Sequence, residues 1–341
     1  MTSLSPAGGE SATAGDFRVS DEIPHFSDGI ALGFSDEASR FSAEITGGRW
    51  AASDPTMFRI VAKPVTASTN DDVAAAARTG EPEGLVVVAD FQRAGRGRRG
   101  RSWQAPPGTA LTFSVLLRPA RPLAPRWQIF PLLAGIAVVE GIRDATGITL
   151  GLKWPNDVVS RDDAKLGGIL VERLPDADDA LVVGIGLNVT LGRDQRPTPT
   201  ATSLALLGAG QTSRGVLLRN ILTALENWYR RWCSWAMEKP ATGGPGGPTS
   251  DADPATRPAN PVTGESGGPR PGPSDHVDLD PVLSAYREYS ATIGRRVRVE
   301  LADGTRVVGM ATGIDPDGAL LVDTDDAGAR RVTAGEVVHL R

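Results

Sequence analysis

The residues most able to do chemistry lie between Phe91 and Trp103, where three glycines and five arginines follow an apolar run. Backbone amides and guanidinium groups at this density converge on an anion. The glycines are not followed by Gly-Lys-Ser or Gly-Lys-Thr, so this is not a Walker loop. Five like charges so close repel one another without a counter-ion, which predicts a mobile loop that orders on a phosphate or carboxylate. An RNA-binding Arg/Gly tract and an inert solvated basic loop are the competing readings of this segment taken alone.

Further segments carry mixed functional groups. Gly151 to Val158 sets Lys153, Trp154, Asn156 and Asp157 within five positions, with Pro155 holding Trp154 extended as an aromatic platform before an Asn-Asp turn. Lys165 to Glu172 begins a strand with a lysine and places Gly167 and Gly168 where a flat ligand can approach backbone; an ordinary glycine turn is the alternative. Val183 to Val189 carries Gly184, Gly186 and Asn188, and no helix follows to make it a dinucleotide site. Ala67 to Asn70 offers small hydrogen-bonding groups, although helix capping by Ser68 or Thr69 explains them equally. The histidines, at 25, 276 and 339, have no spacing for a triad or a metal, and the lone Cys233 reads as a buried thiol in an aromatic helix.

These groups need a scaffold, and the pattern supplies one. A helix is predicted over Asp71–Arg78, strands over Leu85–Ala89 and Leu111–Leu117, and a long apolar helix over Pro125–Thr146. Short strands follow over Ile148–Lys153, Ile169–Arg173 and Leu181–Asn188, then helices over Arg214–Glu238 and Pro281–Thr292. That is an α+β domain at 57–292, interrupted at 240–275 by a Pro/Gly-rich insertion read as disordered. Residues 1–56, acidic and rich in Gly, Ser and Ala, are read as a disordered tail. After residue 293 the period changes to two, with Asp303-Gly304 and Asp317-Gly318 between alternating runs, which predicts a small SH3-like β-barrel at 293–341. Its function is not legible.

At 341 residues with 40% apolar content, the chain can bury a sizeable core. The net charge of -5 disfavours bulk nucleic-acid binding, yet no acidic residue lies between Asp90 and Glu140, where eight arginines do. Lysine is scarce in this arginine-rich chain, so Lys153 and Lys165, twelve positions apart, suggest that an ammonium is wanted there. The longest apolar stretch, Ile129 to Val139, is too short to span a bilayer, and a cytoplasmic location is expected.

Taken in order, Ser68-Thr69-Asn70, Gln92 to Trp103, Lys153 to Val158, Lys165 to Glu172 and Gly184 to Asn188 resemble the biotin protein ligase family, over residues 57–341. The resemblance implies a class II synthetase-like mixed-sheet catalytic domain followed by an SH3-like domain. It also implies the non-repressor class without DNA as a partner, because the segment before Met57 shows no helix-turn-helix pattern. The implied reaction makes biotinyl-5'-AMP from biotin and ATP, then transfers biotin to a lysine of a biotin carboxyl carrier protein domain of acyl-CoA carboxylase. ATP, biotin and Mg2+ are the small molecules, the Mg2+ arriving with ATP rather than at a dedicated metal site. A monomer or weak homodimer is expected.

Position by position, Ser68, Thr69, Asn70, Gln92, Arg96, Gly97, Arg98, Lys165 and Gly168 take biotin under this resemblance. Trp103, Lys153, Asn156, Asp157 and Asn188 take ATP, with Trp103 stacking near adenine. Lys165, Arg98 and Asp157 do the chemistry. A lipoate ligase, which shares fold and chemistry, is expected to lack the arginine run, and an RNA-binding module leaves Lys153 to Asp157 without purpose.

Overall fold

A computed structural model describes residues 40–45, 57–120, 126–238, 280–325 and 328–340. Seven strands form a mixed sheet in the order β1-β2-β3-β7-β6-β5-β4. They are β1 (Arg59–Thr66), β2 (Leu85–Gln92), β3 (Ala110–Leu117), β4 (Gly151–Lys153), β5 (Asp157–Val159), β6 (Lys165–Leu174) and β7 (Ala180–Asn188). Only β1 and β2 run parallel; the remaining pairs are antiparallel.

The two faces of the sheet are covered differently. Alternation sends Leu111, Phe113 and Val115 of β3 and Val183, Ile185 and Leu187 of β7 into the main core. That core is closed by α2 (Phe130–Thr146), α3 (Arg214–Glu238) and α4 (Pro281–Tyr289). The opposite face is half covered: α1 (Thr69–Arg78) lays Val73, Ala74 and Ala77 on Leu85, Val87, Leu116 and Val182. Beyond α1, the same face presents Thr112, Ser114, Gly184 and Gly186, which are too small to make a core. This is where a ligand can lie on the sheet.

Five antiparallel strands make the second unit, ordered β11-β10-β9-β8-β12: β8 (Arg296–Glu300), β9 (Arg306–Ile314), β10 (Leu320–Thr324), β11 (Gly328–Val332) and β12 (Glu336–His339). It is fastened to the first unit by side-chain contacts. Trp154 Nε1 donates to the Gly318 carbonyl at 3.0 Å, and Arg295 clasps both carboxylate oxygens of Asp163 at 2.8 Å each. His339 Nδ1 lies 3.2 Å from Asp163 Oδ1, with Nε2 3.3 Å from the Thr292 hydroxyl.

Several expectations change. Strands β1, β5 and β12 are additions, and the helix expected from Pro125 begins as 3-10 turns at 126–129 before α2. Within the expected disordered tail, residues 40–45 are helical and packed: Phe41 and Ile45 enter the core, and Glu44 receives the buried Arg214 guanidinium at 2.6 Å. Arg214 also reaches Asp90 at 2.6 Å, so this helical turn braces the end of β2 just before the arginine loop. The rest of 1–56 and the 240–275 insertion lie outside the described residues. Among the described residues, no helix is long and apolar enough to cross a membrane.

Candidate active site

Register brings the separate motifs into one row. Asp157 pairs with Gly168, Gly168 with Gly186, and Gly186 with Thr112, so four strands contribute adjacent positions to the uncovered face. The next row runs Leu170, Gly184, Ser114 and Val87. The glycines differ in purpose. A Cβ at Gly184 would stand 2.0 Å from Asn70 Oδ1, and one at Gly186 2.6 Å from the Trp103 ring, so both make room for side chains that line the cleft. A Cβ at Gly167 would strike the Gly186 carbonyl at 2.5 Å, a requirement of strand packing, whereas Gly168 faces the open cleft beside Lys165 and Asp157.

The cleft holds about 990 Å³ of empty space, its solvent-open mouth included. A concave site with a few converging polar groups is the form that small-molecule sites take. Its floor is a hydrogen-bonded chain whose proton positions follow from counting. Ser114 Oγ donates to Asn70 Oδ1 at 2.6 Å, which uses its single hydrogen. The single Thr69 hydroxyl hydrogen then has two acceptors in reach, Ser114 Oγ at 2.7 Å and Gln92 Oε1 at 3.1 Å, of which Ser114 is the nearer. Gln92 Oε1 accepts from the Thr69 backbone N–H at 2.8 Å, leaving its NH₂ to donate elsewhere. Asn70 Nδ2 donates to Glu172 Oε2 at 2.7 Å. The floor thus offers a ligand the lone pairs of Thr69 and the amide hydrogens of Gln92. Ser68 occupies the α1 cap position with no capping bond from its hydroxyl, and it lines the cleft.

Cations occupy one wall and the roof. Lys165 Nζ is 2.6 Å from Asp157 Oδ1, and Lys153 lines the same wall with no carboxylate among the described residues within ion-pair distance. Arg98, half-buried, donates to Asn156 Oδ1 at 3.2 Å, while Asn156 Nδ2 is fixed by the Ile169 carbonyl at 2.8 Å. Burial lowers the Arg98 guanidinium from its ordinary value, opposed by the nearby Asp157 carboxylate. It remains charged, as guanidinium groups in proteins do.

The roof is the arginine loop, whose charges are paired within the protein. Every guanidinium from Arg96 to Arg101 already has a partner from the protein. Arg96 reaches Asp71 at 2.6 Å and Glu172 at 2.9 Å, Arg99 donates to the Glu300 carbonyl at 3.3 Å, and Arg101 pairs with Glu336. That last contact raises the Arg101 guanidinium and holds the Glu336 carboxyl below its ordinary value. The Gly97 backbone closes the loop by donating to the Arg101 carbonyl at 2.7 Å. Arg99 sits at φ 57°, in the left-handed region. The C-terminal unit, silent in the sequence, thus forms part of the roof through Gly335, Glu336 and Val337.

Residues 63–189 match the Biotin/lipoate A/B protein ligase family, and residues 292–340 match the Biotin protein ligase C terminal domain. A biotin--[acetyl-CoA-carboxylase] ligase of Mycobacterium tuberculosis is 36% identical over 282 residues, covering 81% of this chain and 87% of that protein. The chain belongs to the biotin protein ligase family. The bifunctional ligase/repressor BirA of Bacillus subtilis is 30% identical, over 80% of this chain and 71% of its own length. The biotin protein ligase of Aquifex aeolicus solved with biotin and ATP superposes with a TM-score of 0.58 at 24% identity, covering 83% of this chain and 98% of that one, a likeness of fold.

Of the site residues expected for a biotin protein ligase, Ser68, Thr69, Asn70, Gln92, Arg96, Gly97, Arg98, Trp103, Lys153, Asn156, Asp157, Lys165 and Gly168 all line this cleft. Asn188 does not. It is buried, and its Nδ2 donates to the Thr202 carbonyl at 2.9 Å, so the end of β7 is tied to the following segment. Nor is Trp154 a platform: only 2% exposed, its indole is pinned to the C-terminal unit by the Gly318 contact. Ser114 lies outside every motif, and Glu172 closes the Lys165 to Glu172 segment without a role assigned to it, since each is a single polar residue among apolar neighbours. Their only signal was placement, Ser114 on the alternate face from Phe113 and Val115.

Proposed function

We propose that this chain activates biotin with ATP and transfers it to a lysine of a biotin carboxyl carrier domain of acyl-CoA carboxylase. The observation that carries this reading is the pairing, in one cleft, of a neutral floor with a cationic wall. The floor suits a ring that both donates and accepts hydrogen bonds, as biotin's ureido group does. Beside it, Lys165, Lys153 and Arg98 gather where a carboxylate must approach a triphosphate.

A carboxylate resists attack by an amine, since its charge repels nucleophiles and oxide is a poor leaving group. In the first step a biotin carboxylate oxygen bonds to the α-phosphorus of ATP while the bond to the β-phosphate oxygen breaks, releasing pyrophosphate and leaving biotinyl-5'-AMP. Two anions repel strongly in a partly desolvated pocket, and Lys165, Lys153 and Arg98 offset that repulsion, each contact contributing about 1.5 to 3 kcal/mol. In the second step the carrier amine attacks the acyl carbon, AMP departs and the amine loses a proton. Asp157, held 2.6 Å from Lys165, is placed to orient that amine once the nucleotide engages Lys165.

Among the described residues, no three His, Cys, Asp or Glu side chains are arranged to hold a metal ion, and the cleft carboxylates Asp157 and Glu336 are each engaged by a cation. Mg2+ would arrive with ATP and would supply further neutralisation of phosphate charge.

Incubating the protein with biotin, MgATP and a carrier domain, then weighing the carrier by mass spectrometry, tests the reading. One added biotinyl group on one lysine is expected. An unmodified carrier alongside lipoylation of a lipoyl domain under matched conditions favours the lipoate alternative.

A further inference from the structure

Glu172 stands at a junction that the reaction itself does not require. Its Oε2 atom accepts from Asn70 Nδ2 at 2.7 Å and from Arg96 Nη2 at 2.9 Å, so one oxygen serves both the floor and the roof of the cleft. We propose that Glu172 is a positioning residue that couples the two, transmitting occupancy of the floor to closure of the arginine loop; this rests on the function proposed above.

The floor chain is directional. Ser114 donates to Asn70 Oδ1 and the Asn70 amide donates to Glu172, with the Thr69 hydroxyl 2.7 Å from Ser114 Oγ and 3.1 Å from Gln92 Oε1, so Ser114 and Asn70 are polarised toward the carboxylate. A ligand donating a hydrogen to the Thr69 lone pair strengthens each later bond in the same sense and orders the Asn70 amide against Glu172. The carboxylate, held by Asn70, then presents a fixed site for Arg96. Asp71, the other partner of Arg96, has no such connection: its side chain is 57% exposed against 29% for Glu172, and among the described residues no side-chain hydrogen bond joins it to the floor. The guanidinium therefore has one exposed counter-ion, weak through screening, and one half-buried counter-ion wired to the ligand.

The test compares Glu172→Gln with Asp71→Asn, a variant that removes the unconnected partner. In the wild-type enzyme biotin alone is expected to slow tryptic cleavage at Arg93 to Arg101. In Glu172→Gln the expected cleavage rate is the same with and without biotin. The KM for biotin rises about tenfold, within the usual span of site-to-site coupling, while kcat changes less. Asp71→Asn keeps biotin-dependent protection. If Glu172 acts through Arg96, the double variant Glu172→Gln/Arg96→Gln is no worse than Arg96→Gln alone. Retained protection and an unchanged KM in Glu172→Gln overturn the coupling, as do fully additive losses in the cycle. Should Glu172→Gln fail to fold, Glu172→Asp, which keeps the charge but withdraws it from both partners, carries the same comparison. A wild-type enzyme that releases no pyrophosphate with biotin and MgATP refutes the functional reading instead, a result read separately from loop protection.

Discussion

On the floor of the cleft Thr69, Asn70 and Ser114 are buried, neutral and hydrogen-bonded to one another. Across from them, the roof is made of exposed guanidinium groups, Arg96 and Arg101, whose counter-ions Asp71, Glu172 and Glu336 are drawn from α1, β6 and the C-terminal unit. The floor is preorganised, so it contributes recognition without reorganisation. Roof contacts are screened and individually weak, so they can be exchanged for the anions of a substrate. A binding surface is thus rigid where it reads neutral shape, and loose where it must admit and release charge.

The largest effect expected lies where the two meet. Lys165→Gln removes the ammonium beside Asp157 and should slow adenylate formation by roughly 10²- to 10³-fold in kcat, while biotin affinity measured by calorimetry changes less than about tenfold. Comparable losses in both would mean that Lys165 belongs to the floor. Next comes Gly184→Ala, whose Cβ is aimed at Asn70 Oδ1 and displaces it from Ser114 and Glu172. Breaking two buried bonds should weaken biotin binding by about 10- to 100-fold and leave the KM for ATP nearly unchanged. Gly168→Ala, which meets only ordinary contacts at 3.6 Å, is the milder comparison.

A smaller change is expected from Glu336→Gln, since this pair is exposed on both sides. Loss of one roof contact should speed adenylate escape about two- to fivefold with no effect on biotin affinity. An altered biotin affinity would erase the distinction between floor and roof.

The smallest expected effect concerns the hinge of the roof. Burial lowers His339 from its usual 6.5, aided by Arg295 and Lys153 and opposed by Asp163. The unfolded chain therefore takes up a proton at higher pH than the folded one, and stability falls as pH drops below about 6.5 toward the folded value. Asp163, held low chiefly by Arg295, adds its loss only in more acid solution, through the range below its usual 3.8. Melting temperature should decline modestly between about pH 7.5 and 5.5 and decline less in His339→Gln; equal slopes would remove His339 from the account.

What could be read from the sequence depended on how far a residue's role is local. Strands β6 and β7 announce themselves through apolar runs, and their glycines mark where backbone must stay bare. Lys165, Asp157 and the arginine loop were visible as charge clusters. Strand β1 was hidden by Pro64 and Lys63, and β5 because three residues after Pro155-Asn156 read as a turn. Glu336 and Glu172 act at the site only through pairings of distant segments, 235 residues from Arg101 and 76 from Arg96 respectively. Nothing in their own neighbourhoods signals that. Asn188 and Trp154 differ in the opposite sense: their side-chain types suit a ligand, but both are buried and each donates to a backbone carbonyl, the Trp154 indole using its single N–H and Asn188 one of two.

The central claim is that this cleft brings the biotin carboxylate against the α-phosphate of ATP with Lys165 between them. Exchange of labelled pyrophosphate into ATP measures that step alone, without any carrier. The account predicts exchange by the wild-type protein that depends wholly on biotin and Mg2+ and is nearly lost in Lys165→Gln; exchange that proceeds equally without biotin, or is absent with it, contradicts the account.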